Sequence, residues 1–117
     1  MAFKVLFLSH APDADKTTHR SRIDTGMYRL FTVVVRNQAE AIEVAETFFE
    51  EERIDVVILC PGFTHRDVAQ IVERTDGQVG VFVARGDGPS ARISAAARRR
   101  EGYPSPETAS PDRPESA

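Results

Sequence analysis

Two of the three histidines and the only cysteine of this 117-residue chain lie in short polar segments that each follow an apolar run. Three such segments occur, at residues 9–13, 60–65 and 85–90. Histidine exchanges protons near neutral pH, and a cysteine facing a helix N-terminus can act as a nucleophile because its pKa is lowered there. We therefore predict a catalytic set of His10, His65, Cys60 and Asp87, in which the histidines transfer protons and Asp87 orients one of them.

The third segment has the composition of an anion site. Gly86 and Gly88 flank an aspartate, and Pro89 suits the first position of a helix. A helix N-terminus favours phosphate or carboxylate, glycine permits close backbone approach, and Arg85 adds a charge-assisted hydrogen bond. A tight strand-to-helix turn with Asp87 near the cap explains the same residues without a ligand. The predicted ligand-binding residues are Asp13, Gly62, Phe63, Thr64, Arg85, Gly86, Gly88 and Ser90.

Other interpretations of these residues remain open. Cys60 can be a small buried apolar residue, which is the usual role of a free cysteine. Phe63 is either a wall of the ligand site or a plug in the core. His10 and His65, with Asp13 or Asp87, form a conceivable site for a divalent metal, although no local metal-binding motif such as HxxxH or CxxC supports it.

The charge of the chain is unevenly distributed. Fifteen Lys and Arg residues stand against eighteen Asp and Glu, a net charge of −3, and residues 101–117 account for all of it. Residues 1–100 are therefore charge-balanced, which argues against a dedicated nucleic-acid binder. Within them, residues 85–100 carry five arginines and one aspartate, which favours an anionic ligand.

Membrane and secreted classes are not expected. The apolar runs are too short to span a bilayer or to form a secretory signal. A single cysteine fits a reducing compartment, so we expect a cytoplasmic protein with no membrane partner and no nucleic-acid partner. We also expect the chain to form a homo-oligomer.

The pattern of apolar residues predicts an α/β fold. Strand-like runs occur at residues 3–9, 28–36, 54–60 and 79–84, and helices are predicted to follow Asn37, Thr64 and Pro89. Residues 16–24 form either a short helix or the first arm of a hairpin. We expect a small, open, mostly parallel sheet with covering helices, with room for one antiparallel strand or hairpin early in the chain. The runs at 54–60 and 79–84 are typical of strands covered on both faces.

This order of elements predicts one site. The carboxyl ends of parallel strands lie along one edge of a sheet, so the three polar segments should converge there. Residues 1–101 form the predicted domain. Residues 102–117, rich in Pro, Ser and Glu, are predicted to be a disordered tail.

Four stretches resemble a small uncharacterised prokaryotic family that is classed only as a domain of unknown function. They are LSHAPDAD at 8–15, LFTVVV at 30–35 with the following NQ at 37–38, LCPGFTH at 59–65 and VARGDGPS at 83–90. The resemblance implies membership and brings no activity with it. The tail resembles an extension beyond the usual end of the family.

The sequence thus predicts a site for a small anionic ligand, with histidine acid/base chemistry of the kind used by a lyase, isomerase or hydrolase. It leaves open whether the protein is an enzyme, and it identifies no cofactor. One alternative is a non-catalytic homo-oligomeric sensor or interaction module built on the three segments, since a charge-balanced domain is prone to self-association. The other is a divalent-metal-binding protein that uses His10 and His65.

Overall fold

The computed structural model describes residues 1–104, and residues 105–117, most of the predicted tail, lie outside the described residues. The elements are β1 (Phe3–His10), β2 (Arg20–Asp24), β3 (Tyr28–Val35), α1 (Gln38–Glu51), β4 (Val56–Leu59), α2 (His65–Arg74), β5 (Gly80–Val83) and α3 (Gly88–Arg100). This order confirms the predicted α/β fold. It also decides the ambiguous stretch in favour of a hairpin, because β2 and β3 pair antiparallel.

The sheet has five strands in the order β2-β3-β1-β4-β5. β1 lies in the centre and pairs parallel with both β3 and β4. β5 extends the parallel set beside β4, and β2 forms the antiparallel edge. The predicted mostly parallel sheet with one early antiparallel strand is therefore confirmed.

The β2–β3 hairpin closes on a residue that needs a left-handed backbone. Gly26 has a φ of 101°, a conformation that glycine adopts without steric cost. Its N–H donates to Asp24 Oδ1 at 2.9 Å, and Arg29 Nε donates to Asp24 Oδ2 at 2.9 Å. These two contacts hold the pKa of Asp24 below its usual value. The turn thus orders the edge of the sheet through local hydrogen bonds.

One face of the sheet packs against α1 and α2. The buried core consists of Leu6, Leu8, Phe31, Val33, Val35, Ala41, Val44, Ala45, Phe48, Ile54, Val57, Leu59, Phe63, Ile71 and Val79. α1 begins at Asn37, whose Oδ1 accepts the N–H of Glu40 at 2.9 Å, as the sequence predicts. The Glu40 carboxylate reaches back one residue further than a capping box requires and accepts the N–H of Arg36 at 2.9 Å.

Within residues 1–104, no helix packs on the other face of the sheet. Val56 and Ile58 of β4 remain partly exposed, and the Phe82 ring of β5 is more than half exposed. The expectation that β4 and β5 are buried on both faces was therefore wrong, because apolar strand residues do not reveal what covers them. α3 buries none of its residues. Within residues 1–104, no helix combines the length and the apolar character that crossing a bilayer requires.

The turn between β1 and β2 should depend on pH through Asp15. Its carboxylate accepts the Thr17 hydroxyl at 2.6 Å, the Thr17 N–H at 3.0 Å and the Thr18 hydroxyl at 3.2 Å. The Thr17 contacts lower the pKa of Asp15 from 3.8 to about 2. A lowered carboxyl pKa stabilises the turn fully above the ordinary pKa, and that contribution is lost as the pH falls towards the folded value.

We therefore expect the Thr17 and Thr18 amide resonances to move together as the pH falls below about 4, with a midpoint near the lowered pKa of about 2. NMR titration of the labelled protein measures this shift. A midpoint at the ordinary aspartate value would contradict the role assigned to these hydrogen bonds.

Candidate functional site

The carboxyl ends of β1, β4 and β5 lie side by side, because these three strands are adjacent and parallel. The predicted convergence of the three polar segments at one sheet edge follows directly from this topology. Two of the segments, 60–65 and 85–90, help to line two adjoining shallow depressions. One has a volume of about 460 Å³ and the other about 410 Å³. We call them the α2 depression and the α3 depression, after the helices beside them.

The α2 depression lies at the start of α2. Its lining residues are Pro61, Gly62, Phe63, Thr64, His65, Arg66 and Arg85. A capping box fixes this loop: Thr64 Oγ1 accepts the Asp67 N–H at 3.1 Å, and Asp67 Oδ2 accepts the Thr64 N–H at 2.9 Å. Asp67 is fully buried, so the helix start is held from below while the exposed His65 and Arg66 lie on its outer side.

Arg85 links the two depressions. It follows β5 and lines both of them. Its Nη2 lies 3.4 Å from His65 Nε2. Because a guanidinium can only donate a hydrogen bond, His65 Nε2 is the acceptor in this contact. Arg85 is therefore shared by the two depressions and contacts His65 in one of them.

The α3 depression uses one face of α3. Its lining residues are Pro61, Gly62, Arg85, Gly86, Ser90, Ala91, Ser94 and Arg98. Ser90, Ser94 and Arg98 are four residues apart, which places them on the same side of a helix. Arg98 Nη1 donates to Ser94 Oγ at 3.2 Å. This side chain was not among the predicted site residues, although the four-residue spacing from Ser90 could have identified it. Arg66 was also missed, and only its position next to His65 indicated it.

The charge of the lining is one-sided. The twelve residues that line the two depressions include His65, Arg66, Arg85 and Arg98, and none is an aspartate or a glutamate. The exposed Ser90 and Ser94 and the half-buried Thr64 belong to the same lining. Such a surface favours a negatively charged ligand, because cationic donors form the stronger, charge-assisted hydrogen bonds with carboxylate and phosphate.

Asp87 caps the start of α3. Its Oδ1 accepts the Ser90 N–H at 3.0 Å, which makes it the N-cap of the helix. Gly86, Gly88 and Ser90 are predicted to hold an anion through backbone and hydroxyl groups. The Ser90 N–H is already bonded to Asp87, and Pro89 has no N–H, so the Ser90 hydroxyl is the part of that prediction that stays available. The structure thus supports the strand-to-helix turn as the explanation of Asp87. A carboxylate at this end of α3 also opposes binding of an anion there.

His10 lies beneath the loop rather than in either depression. Its ring stacks on Phe63, with centroids 4.0 Å apart and an angle of 20° between the rings. Phe63 is 1% exposed and belongs to the core, which favours the plug over the ligand wall. A Cβ added to Gly62 would come within 3.4 Å of His10 Nδ1. Of the two histidines, His65 therefore lines a depression and His10 does not.

The remaining predicted residues lie outside the lining. Cys60 is partly buried and packs against the core, which agrees with a packing role. Asp13 is exposed in the turn after β1. His19 is exposed too, and its Nδ1 accepts the Asp15 N–H at 2.9 Å. Among residues 1–104, no group of three or more His, Cys, Asp or Glu side chains is arranged to hold a metal ion. The structure therefore gives the metal alternative no support.

Comparison with known families identifies the chain. Residues 3–98 match the model of a family described as "Family of unknown function (DUF6506)". The chain belongs to this family. The match runs from β1 through most of α3 and so includes both depressions, and the predicted resemblance to an uncharacterised family is confirmed. The DUF6506 chain matches no curated protein and no solved structure.

The buried position of Phe63 predicts a large effect on stability. We expect Phe63→Ala to lower the free energy of unfolding by about 3 to 5 kcal/mol, because it removes a core ring and leaves a cavity. Phe63→Leu keeps most of the apolar volume and should cost less than half as much. Urea denaturation followed by circular dichroism measures both changes. An alanine variant as stable as the unmodified protein would show that Phe63 is a ligand wall and not a core residue.

Proposed function

We propose that the DUF6506 chain binds a small anionic molecule, bearing phosphate or carboxylate, between the start of α2 and the inner side of α3. The observation that supports this proposal is the charge of the lining: three arginines and one histidine without an acidic residue. The domain around them is charge-balanced, so this concentration of positive charge is local. It lies at the carboxyl edge of parallel strands, the usual place for ligands in open α/β sheets.

Arg85 is the central anion-binding residue in this proposal. It lines both depressions, so one guanidinium can hold an anion in either position or bridge two anionic groups of one ligand. The neighbouring start of α2 adds the partial positive charge of a helix N-terminus. A carboxylate lies at each helix start, Asp67 in the capping box of α2 and Asp87 as the cap of α3, so the helix ends do not decide the position of the anion. We place it nearer to α2 because His65, Arg66 and Arg85 line the α2 depression together.

His65 is the candidate proton-transfer residue. It is the histidine that lines the depression, and its exposed ring lies 3.4 Å from Arg85. If the bound anion is a substrate, His65 can exchange a proton with it in a lyase, isomerase or hydrolase reaction. His10 then contributes to the shape of the loop through its stacking on Phe63, and Asp87 contributes to the position of α3.

Titration with inorganic phosphate tests the binding proposal. We expect saturable NMR shifts at residues 62, 65 and 85 of the labelled protein, with sodium chloride at matched ionic strength producing none. Arg85→Gln should weaken phosphate binding about 10- to 100-fold, because a hydrogen bond to a charged group contributes about 1.5 to 3 kcal/mol.

Arg99→Gln is the matched control. It removes the same charge from an exposed position of α3 that lines neither depression, so phosphate affinity should change less than about twofold. Equal losses in the two variants would mean that phosphate responds only to the overall charge, and absence of saturable shifts in the unmodified protein would refute the proposal.

A further inference from the structure

The sheet face opposite α1 and α2 is free of charged residues. Side chains alternate between faces along a strand, and the pairing register assigns each residue to a side. We call this side the open face. Its residues are Phe3, Val5, Phe7, Ser9, Ser21, Ile23, Tyr28, Leu30, Thr32, Val34, Val56, Ile58, Gly80 and Phe82. The charged strand residues, such as Lys4, Arg22 and Arg29, belong to the other face.

Large apolar side chains on the open face are exposed to solvent. Phe82 is 60% exposed, Ile23 57% and Phe3 50%. They lie on three different strands, at both edges and near the centre of the sheet. A face of this composition is unlike the polar outer face of an ordinary two-layer sheet, and extended exposed apolar patches mark interaction surfaces.

Neither α3 nor the composition of residues 105–117 suits a cover for the open face. α3 carries four arginines and buries none of its residues, and its one large apolar side chain, Ile93, is 73% exposed. Residues 105–117 contain no Val, Leu, Ile, Met, Phe or Tyr and have three acidic residues. The charged residues of α3 and of residues 105–117 would find no opposite charge on the open face, so neither segment suits this surface.

We propose that the open face packs against the same face of a second copy of this chain. Two uncharged faces can meet without burying an unpaired charge, whatever the angle between them. A face that pairs with itself forms a closed two-fold dimer, the commonest symmetric assembly. The two sheets would stack about 10 Å apart, as the layers of a β-sandwich do.

The size of the open face is sufficient for such a dimer. Five strands spaced about 4.8 Å apart and roughly 20 Å long give a projected area of about 480 Å² per copy. Two copies would together bury roughly 1,000 Å² of projected area, which is the lower size limit of a specific interface. The surface of the protruding side chains adds to this projected area.

The proposed dimer leaves the anion site accessible. The lining residues of the two depressions lie in loops, α2 and α3, and none of them belongs to the open face. Phosphate binding and dimer formation are therefore separate properties, and either can fail without the other.

A charge placed on the open face should separate the two copies. We expect sedimentation velocity to show a dimer for the full chain at about 100 μM, and Phe82→Glu to weaken the dimer at least about 100-fold by burying an unpaired carboxylate. Ile93→Glu makes the same kind of change at an exposed position of α3 and should leave the dimer unchanged. Both variants should bind phosphate as the unmodified protein does.

Several results would overturn the proposal. A monomer at all concentrations up to about 500 μM would do so, with or without binding to lipid vesicles. So would a dimer that persists in Phe82→Glu, because the contact would then lie elsewhere, or a dimer that Ile93→Glu disrupts equally, because α3 would then form it.

If Phe82→Glu does not fold, a fluorescence measurement tests the proposed dimer interface. The chain contains no tryptophan, so Phe82→Trp introduces a single reporter on the open face. Its emission should shift to longer wavelength on dilution, as dissociation exposes the indole to water, while that of Ile93→Trp stays constant. The proposed interface would be refuted if the emission of Phe82→Trp stayed constant over the range of dilution in which the dimer dissociates.

Discussion

The parallel pairing of β1 with both β3 and β4 is the constraint from which the rest of the structure follows. Parallel neighbours need a connection that returns along the sheet. α1 makes this connection between β3 and β4, and α2 makes it between β4 and β5, whereas residues 11–27, which include β2, connect β1 to β3. The same direction brings the ends of β1, β4 and β5 to one edge. The candidate site is therefore a consequence of strand direction, and the loops supply only its chemistry.

Local patterns predicted the elements well because each depends on nearby residues. Apolar runs located the strands, and the Asn37 and Thr64 caps located two helix starts. The stretch before β3 remained ambiguous, since its hairpin depends on pairing with a strand that follows it. The burial of β4 and β5 was predicted wrongly for a related reason: Val56 and Phe82 are as apolar as core residues, and only the placement of helices shows which face is covered.

The site was predicted at the level of loops and only partly at the level of side chains. Parallel topology brings the segments together, and Thr64, His65 and Arg85 line one depression, while their role as site residues stays a prediction. Asp87 has a local partner, because it caps the start of α3. The ring of His10 stacks on Phe63, which is distant in sequence and comes close through the pairing of β1 with β4. The net charge of −3 likewise concealed a lining with three arginines and no acidic residue.

Strand direction also bears on the uncovered face. Parallel sheets are normally covered on both faces, because crossover helices are distributed over the two sides. In residues 1–104, α1 and α2 both pack on one side, and α3 extends from the carboxyl edge without burying a residue. The open face nevertheless has the composition of a buried layer, with aromatic and aliphatic residues and no charge. Since residues 1–104 provide no helix for this face, we propose that a second copy, which carries the same uncharged layer, covers it.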